Sequence, residues 1–276
     1  ARIFFNPVMN KMYSFLLLLN IILIVLNPEL LPHYQDIFLF DSMVLNLITY
    51  LVISLVLIVI HEFGHVLAIR SYNLPASLSI GNRLIFIVFE TDLTAAWKLE
   101  PRQRNVLYFA GMSFEQVILF LSFSILLLFP NGNVAGVLGI VVFDIFIKTL
   151  YQCCFYMKTD MYYVVENVTG AYNLMERGTE YLRSIFGKRN DRKERSQDGH
   201  HVVRLYSLFY IVGVLLTLIL FAVYFVPQLY YVLTTIFSNV QNPSGGLAFW
   251  DAVAFLVQTI ILAGLLLFLT LRKRKA

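Results

Sequence analysis

The fold of this chain is decided by the stretch LVISLVLIVIHEFGH, residues 51 to 65. Its first ten residues carry one hydroxyl group, on Ser54, and no charge, and its last five read His61-Glu62-Phe63-Gly64-His65. Residues four apart lie on one face of a helix, so both imidazoles can bind one zinc ion. We therefore predict a zinc site at the end of a membrane-spanning helix, with Glu62 as general base for an attacking water.

The same five residues have a structural alternative, a cluster of polar side chains that merely satisfy one another. Ionisable side chains are costly in lipid, and three of them within five residues favour a functional site over such a cluster. Gly64 is a poor helix former, but it leaves room for another backbone or a substrate to approach.

The composition indicates an all-α polytopic membrane protein. Of the 276 residues, 59% are hydrophobic and 14% are charged, and the mean hydropathy is +0.73. The net charge of +4 comes from basic residues between apolar runs, a pattern typical of cytoplasmic loops and not of nucleic-acid binding. Two adjacent cysteines, Cys153 and Cys154, predict no disulfide framework.

The apolar runs predict six membrane-spanning helices, since each is close to or above the ~20 residues that a bilayer requires. They cover about residues 9–31, 42–69, 106–129, 134–157, 202–226 and 247–271. The first run is too long for the core of a signal peptide and is interpreted as a retained helix. We predict one membrane-embedded domain over residues 1–276, with a catalytic core at 42–174, a cytoplasmic loop at 175–201 and two C-terminal transmembrane helices at 202–276. The polar segment at 173–199 predicts a cytoplasmic helix followed by a flexible linker that ends in Ser-Gln-Asp-Gly at 196–199.

Loop charge predicts the orientation. The segments at 32–41, 130–133 and 227–246 contain no lysine or arginine, whereas the other connections and the C-terminal tail are basic. With six spans, every basic segment lies on one side of the membrane. We therefore predict a multi-pass protein of the cell membrane with both termini cytoplasmic and the histidine motif towards the cytoplasmic end of its helix.

A short membrane-associated β-hairpin is predicted between the second and third spans. Leu78–Arg83 and residues 84–89 have the composition of strands, with Gly81-Asn82 as the turn. An unpaired strand edge there could bind a substrate by strand addition, with Phe86, Val88 and Asp92 as substrate-binding residues. The alternative, equally weighted, is a hairpin that only covers the site.

A catalytic zinc usually has three protein ligands, so one more must come from elsewhere in the chain. The candidates are Asp160, Asp144, Asp92 and Glu166. Asp144 lies in the middle of an apolar run, but Lys148 follows one turn later and can pair with it. Asp160 follows the fourth predicted span and is expected at the same depth in the membrane as the two histidines. This match in depth favours Asp160 as the third ligand. The alternative that Asp160 is a helix-end carboxylate at the membrane interface, without a metal, stays open at this point.

Several stretches resemble the site-2 protease family of intramembrane zinc metalloproteases, and more closely its branch of peptide zinc metalloproteases. They are HEFGHVLA at 61–68, FETDLTAAWKL at 89–99, RQR at 102–104, FAG at 109–111, KTDMYY at 158–163 and NL at 173–174. The resemblance implies that Asp160 is the third zinc ligand. It also shows two departures, because Met161 and Met112 stand where that family usually has glycine and proline.

The resemblance and the residues together predict an intramembrane zinc metalloprotease with one zinc per chain, held by His61, His65 and Asp160. Its substrate would be a transmembrane or membrane-associated peptide cut near the cytoplasmic face, in peptide maturation or export. The expected partners are the lipid bilayer and a peptide exporter or modifying enzyme, with no nucleic acid. The alternative is a non-proteolytic zinc-binding component of transport, immunity or a scaffold. Glu62 argues against it, because a structural zinc site needs no general base.

Overall fold

The computed structural model describes residues 1–83, 86–186, 200–241 and 246–273. Its helices are α1 (Pro7–Leu26), α2 (Met43–Ser71), α3 (Pro101–Tyr108), α4 (Ala110–Leu128), α5 (Asn133–Gln152), α6 (Asp160–Thr169), α7 (Leu174–Phe186), α8 (His200–Leu220), α9 (Val226–Gln241) and α10 (Leu247–Lys273). Two strands, β1 (Leu78–Arg83) and β2 (Phe86–Thr91), follow α2. The all-α class with one small hairpin is therefore as predicted.

Five helical segments are long and apolar enough to cross a membrane: α1, α2, α4, α5 and the continuous helix His201–Gln241. They are compatible with a multi-pass membrane protein. The sixth predicted span coincides with α10, whose described apolar part, Leu247–Ile261, is shorter than a span. The number of spans and the side on which the termini lie stay predictions.

The predicted loop at residues 227–246 is wrong over 227–241, because the helix continues there as α9. A π-helical turn, Phe221–Phe225, joins α8 to α9, and Pro227 follows it. Proline lacks an N–H and its ring crowds the preceding turn, and a widened turn leaves space for it. The continuous helix has 41 residues and is about 60 Å long, so it cannot lie wholly within a bilayer core of about 30 Å.

Two other predicted spans differ at their ends. The third is divided at Phe109, which separates α3 from α4. The fourth ends at Gln152, and Lys158 adopts a left-handed conformation with φ of 52° before α6 begins. The polar helix predicted at the start of the segment 173–199 is α7, whereas the predicted linker that ends at residues 196–199 lies outside the described residues.

The hairpin forms in a different register from the predicted one. Leu78 pairs with Thr91 and Arg83 pairs with Phe86 in an antiparallel ladder. The predicted turn at Gly81-Asn82 is wrong, because both residues lie within β1 and pair with residues of β2. The connection falls at residues 84–85, outside the described residues, where the sequence Leu-Ile carries no turn signature.

Close packing of α2 against α4 places the histidine motif against the first residues of α4. A Cβ atom added to Gly64 would lie 2.7 Å from the carbonyl oxygen of Ala110, so this contact requires glycine. Ala68, Ile69 and Leu107 are fully buried beside it. At the other end of α2, the Asp251 carboxylate of α10 accepts hydrogen bonds from the N–H groups of Met43 and Val44, and so caps the helix.

Candidate metal centre

Three potential ligand atoms converge at one point in the structure. Nε2 of His61 lies 3.1 Å from Oδ2 of Asp160, and Nε2 of His65 lies 3.2 Å from Nε2 of His61 and 3.5 Å from the same carboxylate oxygen. Tetrahedral zinc with bonds of 2.0–2.1 Å separates its ligands by about 3.3 Å. The three separations therefore match those that one metal ion requires.

Hydrogen bonds across the short connection between α5 and α6 hold Asp160 beside the two histidines. Thr159 Oγ1 donates to the carbonyl oxygen of Gln152, and the N–H of Asp160 donates to Gln152 Oε1. Asp160 is thereby the first residue of α6, directly facing α2. The structure brings together the three residues that were predicted as ligands, and their binding of zinc stays a prediction.

Each ligand side chain has a further partner that fixes its orientation. Nδ1 of His65 lies 2.8 Å from the carbonyl oxygen of Leu107, which accepts a hydrogen bond from it and leaves Nε2 free for a metal. Gln152 Nε2 donates to Oδ2 of Asp160 over 3.1 Å. Such partners hold ligands in place before a metal arrives.

The further partner of His61 is Glu115, a residue that the sequence reasoning did not single out. Oε1 of Glu115 lies 3.1 Å from Nδ1 of His61, and the Glu115 side chain is 1% exposed. A signal was available, because Glu115 is the only charged residue in the apolar helix α4. An ionisable side chain inside a span is a functional candidate by default.

Glycine at position 111 makes room for the His61 ring. A Cβ atom at Gly111 would lie 2.3 Å from Nε2 of His61, well inside contact distance. The Phe-Ala-Gly stretch at 109–111 thus has a local physical role at the start of α4. Because residue 111 has no side chain, the backbone of α4 lies directly against Nε2 of His61.

The carboxylate of Asp160 is suited to bind a cation. Burial alone would raise its pKa, but the adjacent His65 and His61 imidazoles hold the pKa of Asp160 well below its usual range. The group is therefore anionic at neutral pH. A carboxylate with two imidazoles is a donor set that suits zinc.

Glu62 is half-buried beside the histidines and is tied to the hairpin. Thr91 Oγ1, at the end of β2, donates to Oε2 of Glu62 over 2.8 Å and lies 3.3 Å from its carbonyl oxygen. The hydrogen bond fixes the direction of the carboxylate and attaches the strand to the motif. The sequence reasoning did not assign a role to Thr91.

The predicted substrate-binding residues have different positions. The backbones of Phe86 and Val88 lie in β2, but their side chains are outside what the structure describes. Asp92 is exposed, accepts a hydrogen bond from the N–H of Thr94, and donates its own N–H to the carbonyl oxygen of Ser77. These bonds give Asp92 a local role at the open end of the hairpin.

The other candidates for the third ligand have partners of their own. Asp144 pairs with Lys148 at 2.5 Å, as predicted. Glu166 Oε1 accepts hydrogen bonds from the Tyr162 hydroxyl and from the N–H of Leu174. Among the described residues, the group that could hold a metal consists of His61, His65 and Asp160.

No significant match to this chain was found among protein-family models, curated proteins or solved structures. The resemblance to site-2 proteases therefore depends on the sequence motifs and their order alone. The structure itself defines a protein with membrane-length apolar helices and a histidine–aspartate group that could hold a metal ion.

Proposed function

We propose that this protein is an intramembrane zinc metalloprotease that hydrolyses a peptide bond in a transmembrane or membrane-associated peptide. One observation carries the proposal: the ligand atoms of His61, His65 and Asp160 lie 3.1–3.5 Å apart. The spacing suits one metal ion, and the glutamate of a catalytic motif lies between the two histidines in sequence. One zinc per chain is the expected content.

The donor set favours a catalytic zinc over a structural one. Structural zinc sites are usually closed by four protein ligands, whereas catalytic sites use three and leave one position for reactants. The described residues supply three ligand groups here. A zinc ion held by them would supply Lewis acidity to the carbonyl group under attack.

The chain's own residues have distinct roles in the proposed reaction. Glu62 takes a proton from the attacking water and donates a proton to the leaving amine. Thr91 orients the Glu62 carboxylate through its hydrogen bond. Oε1 of Glu115 lies 3.1 Å from Nδ1 of His61, and this close charge contact keeps Nε2 directed at the centre.

The hairpin supports a route for substrate binding. β2 pairs with β1 along one edge, and no third strand pairs with its other edge within the described residues. Thr91 connects β2 to Glu62, so a peptide added to β2 would run close to the motif. A helical transmembrane substrate must unwind locally before it can pair in this way. Cleavage near the cytoplasmic face, in peptide maturation or export, follows from the charge distribution and the resemblance.

The test combines metal content with proteolysis in detergent-purified protein. We expect about one zinc in the wild type, none in His61→Ala, and an unchanged zinc content in Glu62→Gln. With fluorescein-labelled casein as the probe, the wild type should release fluorescent fragments and Glu62→Gln should not. Cleavage by Glu62→Gln at the wild-type rate would refute the mechanism. Zinc binding without cleavage of casein or membrane peptides would favour the non-proteolytic alternative.

A further inference from the structure

A cavity of about 410 Å³ lies beside the metal centre, among five of the helices. Its volume lies within the range of about 300–1,000 Å³ that is usual for ligand pockets. Its lining includes Ser14 of α1, Asn105 of α3, Met112 of α4, Gln152 of α5 and Met161 of α6. The cavity therefore lies between α1 and the helices α3 to α6.

Three residues connect the cavity directly to the ligands. Gln152 lines it and donates a hydrogen bond to Asp160. Met161 lines it and follows Asp160 in the chain, and Met112 lines it next to Gly111, which lies against His61. The cavity thus borders residues that contact or adjoin the proposed ligands.

The chemistry of the wall is mainly apolar with a few polar groups. Phe5, Leu17, Val106 and Phe109 provide apolar surface. Thr149 also lines the cavity, and its buried Oγ1 has no hydrogen-bond partner among the described residues. The wall as a whole is therefore suited to an apolar group, with polar atoms at a few places.

The two departures from the site-2 protease pattern are both in this wall. Met161 and Met112 stand where that pattern has glycine and proline, and each adds a flexible apolar side chain to the cavity. Methionine adapts its shape to different apolar partners. Both departures therefore change the lining of the same cavity.

We propose that this cavity receives a large apolar side chain of the peptide substrate, leucine-sized or aromatic, next to the bond that is cut. The inference rests on the proposed protease function and adds its side-chain preference. A lipid chain is the less suitable occupant, because a peptide brings backbone N–H and C=O groups that can pair with the polar groups of the lining, on Asn10, Asn105, Ser113 and Gln116, and a lipid chain brings none.

The test uses small hydroxamates, which chelate zinc through one end and differ at the other. Acetohydroxamate, 4-methylpentanohydroxamate and 3-phenylpropionohydroxamate are titrated calorimetrically into zinc-loaded protein in detergent. Each buried methylene contributes about fourfold in affinity, so the two larger compounds should bind at least about tenfold more tightly than acetohydroxamate. Ser14→Trp, which fills the cavity, should abolish that ratio and leave acetohydroxamate binding unchanged.

A matched control separates filling the cavity from adding a tryptophan to α1. Leu18 is exposed and lies outside the lining, so Leu18→Trp should keep the wild-type ratio. If Ser14→Trp does not fold, Leu17→Trp fills the same cavity from the same helix.

Each contrary outcome has its own meaning. Equal affinities of the three compounds in the wild type, or an unchanged ratio in the cavity-filling variant, would overturn the inference alone. No binding of any hydroxamate would overturn the metal centre and the inference with it. A ratio that is present in detergent but lost in phosphatidylcholine nanodiscs would identify a lipid chain as the occupant and would also overturn the inference.

Discussion

Nδ1 of His61 lies 3.1 Å from Oε1 of Glu115, whose side chain is 1% exposed inside α4. A buried carboxylate is unfavourable unless a partner compensates for the loss of water. Here the partner is Nδ1 of His61, the ring nitrogen that is not directed at the proposed metal site. A carboxylate beside the second ring nitrogen of a metal-binding histidine favours a proton on that nitrogen and makes the other nitrogen a better donor to the metal. We therefore interpret Glu115 as a positioning residue for His61.

Replacing Glu115 should weaken zinc binding without removing a ligand. We expect Glu115→Ala to lower zinc affinity about 10–100-fold, the usual effect of losing such an outer partner. Glu115→Gln retains an oxygen acceptor and should lose less. Competition with a fluorescent zinc chelator measures both, and wild-type affinity in Glu115→Ala would contradict the assigned role.

Adding one methyl group at Gly111 should displace His61. Because the new Cβ would lie 2.3 Å from Nε2, the ring must move and one ligand is lost from the centre. Gly111→Ala should therefore purify with little zinc while keeping its helical circular dichroism. Gly264→Ala is the control, since a Cβ there meets nothing within 4 Å. A full zinc content in Gly111→Ala would contradict the close approach of α4 to the motif.

The parts of the site that could be predicted depend on local geometry or depth. His61 and His65 are four residues apart on a helix, so their shared face follows from the helical repeat alone. Asp160 was favoured because it follows an apolar run that ends at the same membrane level. The first argument needs only the spacing along a helix, and the second needs only the depth along the membrane normal. The structure brings His61, His65 and Asp160 together.

The parts that were missed depend on packing between distant segments. Glu115 and His61 meet only because Gly64 and Gly111 allow α2 and α4 to approach closely. Nothing in the spacing of either segment predicts that contact. The structure differs from the prediction at Pro227 for a related reason, since a single π-helical turn lets a helix continue past a residue that normally ends one.

Removing the hydroxyl of Thr91 should affect catalysis and not metal binding. Thr91→Val keeps the shape of the side chain but loses the donor to Oε2 of Glu62. A hydrogen bond to a charged group is worth about 1.5–3 kcal/mol, so casein cleavage should slow about 10–100-fold. Thr91→Ser retains a hydroxyl group and should recover most of the rate. A normal rate with Thr91→Val would show that this contact does not orient the general base.

The third ligand can be identified by comparing three acidic residues in one experiment. Asp160→Ala should abolish zinc binding, because Oδ2 of Asp160 lies 3.1 Å and 3.5 Å from the two histidine nitrogens. Asp144→Ala should keep zinc, since Asp144 pairs with Lys148. Glu166→Ala should also keep zinc but unfold more readily. Its loss leaves the Tyr162 hydroxyl and the Leu174 N–H without their acceptor, a change of about 1–3 kcal/mol in the free energy of unfolding.

Zinc content and thermal unfolding, measured on the same detergent-purified samples, separate these cases. A ligand variant loses the metal and with it any stabilisation that the metal provides. A variant of the α6–α7 contact loses stability at full zinc content. Zinc retained by Asp160→Ala but lost by Asp144→Ala would move the third ligand deeper into the membrane. Such a result would require α5 to rotate, because Asp144 is 2% exposed and directed at Lys148 in this structure.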